Sequence, residues 1–179
     1  MLKTLKAYGF LFLIGGGVLL ADQTAKAWIE AHIPFARQTT PFAALPWLHI
    51  TNWHNSGMAF GLGQAWGPVL LALGVVYALG VLLAFPAIAR SGWWLRWGMA
   101  IQWGGALGNL LDRLRHGYVT DFIAVGRFPV FNLADAAISL SVAFLLLGEL
   151  FADDEPAPET PPHAPDAETS PAPEETPHA

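Results

Sequence analysis

A chain of 179 residues with 54% hydrophobic residues, only 13% charged and a mean hydropathy of +0.41 belongs to the membrane class rather than to soluble domains. It has no cysteine, which excludes disulfides, thiolate catalysis and Cys-ligated zinc. Its net charge of −5 averages two unlike regions, because residues 1–151 hold all nine Lys and Arg against six acids, whereas residues 152–179 hold eight acids and no base.

The first apolar run, "YGFLFLIGGGVLLADQTAKAW", follows Lys3 and Lys6 and so mimics a secretory signal peptide. It continues into Asp22 and Lys26 with no small-x-small cleavage site, which predicts a retained span over residues 8–28. Residues 31–66, rich in Pro, Trp, Thr and Gly, predict short strands and turns. Further spans are expected over residues 68–89, 93–111 and 133–151, each able to cross a ~30 Å hydrocarbon core at 1.5 Å per residue. The third is the weakest, since it carries Arg96 and Gln102, while Trp93, Trp94 and Trp97 mark an interfacial belt.

Four spans place both termini on one side. Lys3, Lys6, Arg90 and Arg96 mark that side as cytoplasmic; Arg37, Arg113, Arg115 and Arg127 balance them on the other, and the first span is taken to decide. The expected organisation is a membrane domain over residues 1–151 and an acidic, proline-rich tail over residues 152–179. That tail is too polar to offset its ordering entropy and is expected to be disordered, either as a solvated appendage or as a docking segment.

Of the six acids before the tail, Asp22, Asp112, Asp121 and Asp135 fall at or near the outer ends of spans, where ionisable groups are costly and point to function. Asn132 and Asp135 have N-cap and N3 spacing, so Asp135 alone reads equally as a helix-start acid. Upstream, "DFIAVGRFPVFN" reads as two apolar runs about a Gly126–Arg127 turn, a hairpin that places Val125 by Phe128 and Asp121 opposite Asn132, although Pro129 weakens the second strand. Two carboxylates converging in an apolar setting share a proton, and such a pair hydrolyses peptides without Ser, Cys or metal.

On the third span, Gln102, Asn109 and Arg113 share a face within ~40° at 100° per residue. Arg113 either snorkels and pairs with Asp112, or joins Asn109 in orienting substrate carbonyls. Asp22 and Lys26 form an i, i+4 pair, structural or catalytic. "HNSGMAFGLG" supplies turn glycines and Asn55 as a polar contact, while Ser56 lacks a nucleophile-elbow setting. His32, His49, His54 and His116 show no metal-ligand spacing. A proton-coupled transporter is a rival reading, but a relay needs acids through the bilayer depth; a scaffold acting through the tail leaves the paired aspartates unexplained.

Five motifs in order resemble the lipoprotein signal peptidase (signal peptidase II) family: "DQTAK" with Asp22 and Lys26, "NSGMAFG" with Asn55, Gly57, Ala59 and Phe60, "GGALGNLLDR" with Gly105, Asn109, Asp112 and Arg113, "VTDF" with Asp121, and "FNLAD" with Asn132, Ala134 and Asp135. The similarity covers roughly residues 5–151. It implies an all-α membrane fold of four transmembrane helices with a small extracytoplasmic β-cradle and a short outer helix. It implies an aspartic endopeptidase of the bacterial inner membrane, both termini cytoplasmic and the active site at the outer leaflet boundary. The implied catalytic pair is Asp121 and Asp135, with substrate contacts from Asn55, Asn109, Arg113 and Asn132 and structural support from Asp22, Lys26 and Asp112. The implied substrates are diacylglyceryl-prolipoproteins, cut just before the lipidated cysteine, and the implied inhibitor is globomycin. Membrane lipids are expected partners; no cofactor, metal or nucleic acid is expected.

Overall fold

The structure, a computed structural model, describes residues 1–57 and 66–152. Its helices are α1 (Leu2–His32), α2 (Gly67–Ile88), α3 (Trp93–His116) and α4 (Leu133–Ala152); its strands are β1 (Gln38–Thr39), β2 (Leu48–Asn55) and β3 (Val119–Val125). The helices fall where apolar runs predict them, but α1 extends several residues beyond 8–28 at each end. Its 31 residues reach about 46 Å, longer than a ~30 Å hydrocarbon core is thick.

Three stretches, Leu2–His32, Gly67–Ile88 and Leu133–Leu150, are long and apolar enough to cross a membrane. Helix α3, expected to be the weakest span, is the one that falls short on composition, and its packing explains why. It is the central helix, in contact with α1, α2 and α4. Its Gln102, Asn109 and Asp112 are therefore turned towards neighbours, and Asp112 is buried there with Ala100, Trp103 and Leu110. Large apolar side chains instead cover the outside, with Leu13 73% and Leu83 78% exposed, the arrangement expected when the solvent is hydrocarbon.

Close approach to α3 depends on glycines. A Cβ on Gly105 would lie 2.6 Å from the Ala134 carbonyl oxygen of α4, and one on Gly108 would lie 2.5 Å from an Asp22 carboxylate oxygen of α1. The core at the chain-terminal end joins Leu11, Phe85 and Trp103 from α1, α2 and α3. At the other end Ile29 and Ile33 pack on Phe122 and fix the sheet to α1.

The sheet is antiparallel in the order β1-β2-β3. Strand β2 pairs Leu48 with Val125 and Asn55 with Val119, with a register shift between Ile50 and Trp53. The expected hairpin turns at Gly126, whose φ of 53° suits glycine. Its return arm is not a strand, however. Only Ile123 and Phe131 pair, one residue off the predicted register, because Pro129 has no N–H to continue a ladder. All helices among the described residues are long, so the short outer helix implied by the resemblance is not among them. The expected disordered tail, from residue 153 on, and Ala59 and Phe60 of the "NSGMAFG" motif lie outside the described residues.

Candidate active site

The start of α4 is built as a reciprocal cap. The Asp135 N–H donates to Asn132 Oδ1 at 2.9 Å, and the Asn132 N–H donates to Asp135 Oδ2 at 3.2 Å. The Ala134 N–H, a further unpaired donor of the first turn, reaches Asp22 Oδ1 of α1 at 3.0 Å. Asp135 thus does start a helix, and its other oxygen remains available: Oδ1 accepts from Asn109 Nδ2 at 2.7 Å.

Asp121 arrives from β3 and is 2% exposed. Because Asn55 pairs with Val119 on the neighbouring strand, its side chain is the diagonal same-face neighbour of Asp121, and Nδ2 donates to Asp121 Oδ2 at 2.9 Å. Asn132 Nδ2 donates to Asp121 Oδ1 at 2.7 Å and to Asn109 Oδ1 at 3.1 Å. One fully buried asparagine therefore caps α4 and links Asp121 to the amide that holds Asp135. Burial above all, assisted by the Asp135 charge, pushes the Asp121 carboxyl up to about 6, against the opposing bonds from Asn55 and Asn132.

Both aspartates line a cavity of about 620 Å³ whose other walls include Asn55, Asn109, Arg113 and the apolar Phe128, Phe131 and Ile138. Asn132 lies behind this wall rather than in it. Arg113 donates to the Asn109 carbonyl and to the Gly57 carbonyl, both at 3.3 Å, and does not pair with Asp112. Its Nε is buried without a hydrogen-bond partner, an unmet donor in the cavity wall.

Behind the cavity, Lys26 Nζ lies 2.8 Å from Asp22 Oδ2, 2.7 Å from Asp112 Oδ2 and 3.1 Å from Asn109 Oδ1. Asp112 also accepts the Thr120 N–H at 3.2 Å, which ties β3 to α3 beside Asp121. The Asn109 oxygen is taken by Lys26 and Asn132, so its NH₂ end must face Asp135. The nine residues implied as catalytic, substrate-contacting or supporting belong to this one connected assembly.

Gln102 does not. It accepts from the Tyr77 hydroxyl at 2.7 Å and braces α3 against α2. Two contributors escaped the sequence reading. Gln23 Nε2 donates to Asp112 Oδ1 at 2.8 Å, and Glu30 accepts the Thr120 hydroxyl at 2.5 Å. Glu30 lies four residues after Lys26 and eight after Asp22, so helical spacing carried its signal. Among the described residues no cluster of His, Asp and Glu is arranged to hold a metal ion.

Comparison with known proteins places this assembly in a family. The family model described as Signal peptidase (SPase) II matches residues 14–151. A lipoprotein signal peptidase of Moorella thermoacetica is 40% identical over 132 residues, 72% of this chain and 84% of that protein. One from Caulobacter vibrioides is 40% identical over 152 residues, 80% of this chain and 88% of that protein. A solved structure described as a bacterial membrane enzyme superposes with a TM-score of 0.75 at 25% identity, covering 86% of this chain and 95% of its own. With described residues from each of the five motifs joined in one site and this match over most of its length, the chain belongs to the signal peptidase II family of aspartic peptidases.

Proposed function

We propose that this membrane peptidase removes signal peptides from diacylglyceryl-modified prolipoproteins, cleaving before the lipidated cysteine, with Asp121 and Asp135 activating water. The observation that carries the reading is the shared cavity. Two carboxylates from separate elements line it, bridged by Asn132 and Asn109, and one of them is held near 6. Asp121 is assigned as the acid on that basis. Asp135, in the first turn of α4 and facing the same cavity, takes the role of base.

In this mechanism Asp135 takes a proton from water as the water oxygen attacks the scissile carbonyl carbon. Asp121 gives its proton to the carbonyl oxygen. The tetrahedral intermediate collapses with breakage of the C–N bond, the proton on Asp135 passes to the leaving nitrogen, and Asp121 recovers its proton from the collapsing diol. Arg113 Nε and the carbonyl-anchoring geometry of Arg113 suit a substrate carbonyl. Asn55 and Asn109 orient the carboxylates from the cavity wall, and Asn132 acts from behind as a positioning residue. Lys26, Asp22 and Asp112 hold these groups in place.

The proposed setting is the bacterial inner membrane, with four crossings including α3, both termini cytoplasmic and the cavity at the outer leaflet boundary. The lipid of the substrate then stays in the bilayer while the peptide is presented at the interface, and the apolar walls at Phe128, Phe131 and Ile138 suit both. A globomycin-type peptide would compete for the same cavity. The test is cleavage of a synthetic prolipoprotein peptide by purified protein, with products weighed by mass spectrometry. Cleavage is expected only with the diacylglyceryl group present and only before the modified cysteine; equal cleavage of the unmodified peptide would overturn the substrate assignment.

A further inference from the structure

A second cavity lies at the far end of the bundle, where α1 begins, α2 ends and α3 begins. It is about 250 Å³, and Lys3, Lys6, Arg90 and Arg96 line it over Phe10 and Pro86. Among the described residues, none of these four cations has a carboxylate within ion-pair distance. Four like charges converging on one hollow repel one another unless an anion joins them. The Arg96 guanidinium carbon lies 4.5 Å from the Phe10 ring centre, and its Nε is buried with no hydrogen-bond partner. The first turn of α3 contains no acid and has no side-chain cap, so its N–H groups add positive potential there.

The depth of this cavity is set by α1. Lys6 and Lys26 are twenty residues apart on one helix, about 30 Å, which is the thickness of a hydrocarbon core. With the active site at one membrane boundary, the basic cavity is at the other. Leu5 and Leu83, 69% and 78% exposed, present apolar surface at the same end. We propose that Lys3, Lys6, Arg90 and Arg96 form a binding site for the phosphate headgroup of an anionic phospholipid, at the membrane boundary opposite the active site. The paired demands of the cavity, positive charge above aliphatic and aromatic surface, match a lipid. Free phosphate has no apolar part, and residues 153–179, although acidic, contain no apolar side chain larger than proline.

The experiment is native mass spectrometry of the full chain released from detergent, with phosphatidylglycerol or phosphatidylcholine added. Retention of phosphatidylglycerol over phosphatidylcholine is expected. An Arg90→Gln/Arg96→Gln variant should bind phosphatidylglycerol about 30-fold more weakly, since each basic group near an anionic headgroup is worth about a factor of five. Lys3→Gln/Lys6→Gln, at exposed positions, should weaken it comparably and serves if the arginine variant fails to fold. Prolipoprotein cleavage by both variants in phosphatidylcholine micelles reports that the fold is intact. Equal retention of the two lipids, or wild-type retention by the lysine variant, overturns the proposal. So does displacement by excess inorganic phosphate, which would identify a plain phosphate site. Phosphatidylglycerol binding that appears only after removal of residues 153–179 would assign the cavity to the tail instead.

Discussion

Burial of the Asp121 carboxyl in the cavity wall makes a prediction. The folded state holds the Asp121 proton to about pH 6, above the ordinary aspartate value of 3.8. The protonated acid is the competent form in the proposed mechanism, so kcat/KM should fall about tenfold per unit as pH rises past 6. Asn55 donates to the ionised carboxylate and so opposes this shift. Asn55→Ala should therefore move the alkaline limb of the pH profile upward. A limb that stays put or moves down would contradict the role of that bond. The same raised value means that Asp121 favours the folded state most below pH 3.8, and that this contribution is lost as pH rises through 6.

Lys26 makes a second residue-scale prediction. It neutralises two buried carboxylates while donating to Asn109. Lys26→Met should lower stability by about 3–5 kcal/mol, read by thermal unfolding in detergent, because Asp22 and Asp112 are left without their cation. Much of this assembly was readable from residue types and spacing. The Asn132-to-Asp135 interval is a helix start, and Asp22 with Lys26 is an i, i+4 pair. The Lys26–Asp112 pair and the placement of Asn132 behind the cavity were not readable, because both depend on how helices far apart in sequence pack.

At the scale of elements, α3 carries the main lesson. Hydropathy finds α1, α2 and α4 because lipid covers much of them, but α3 is surrounded by protein and is free to carry Gln102, Asn109, Asp112 and Arg113. Its glycines are the cost of that central position. Gly105→Ala forces a Cβ against the Ala134 carbonyl and should destabilise by about 1–3 kcal/mol while shifting α4 and Asp135. Gly80→Ala, with nothing within 4 Å of its Cβ, should be neutral or mildly stabilising. Similar unfolding temperatures for the two variants would contradict the close-packing account. The hairpin was legible as a turn at Gly126, but its register was not, since Pro129 reduces the return arm to one bridge. The β2–β3 pairing joins residues some seventy positions apart, and no local pattern announces its shift between Ile50 and Trp53.

At the scale of the whole molecule, the assembly from Asp22 to Asp135 draws its bonds from residues that precede the acidic segment 153–179, so deletion of that segment should leave prolipoprotein cleavage within about twofold of the intact chain. A large loss would give the tail a role in catalysis or substrate capture. Composition identified the membrane class because apolar side chains cover the outside of this fold, and it could not have identified which side of the membrane the cavity faces, since arginines and lysines are balanced between the two ends. The most direct test of the central claim is prolipoprotein processing in membranes carrying Asp121→Asn or Asp135→Asn. Each variant should insert at normal levels and lose cleavage; normal processing by both would contradict the aspartic dyad.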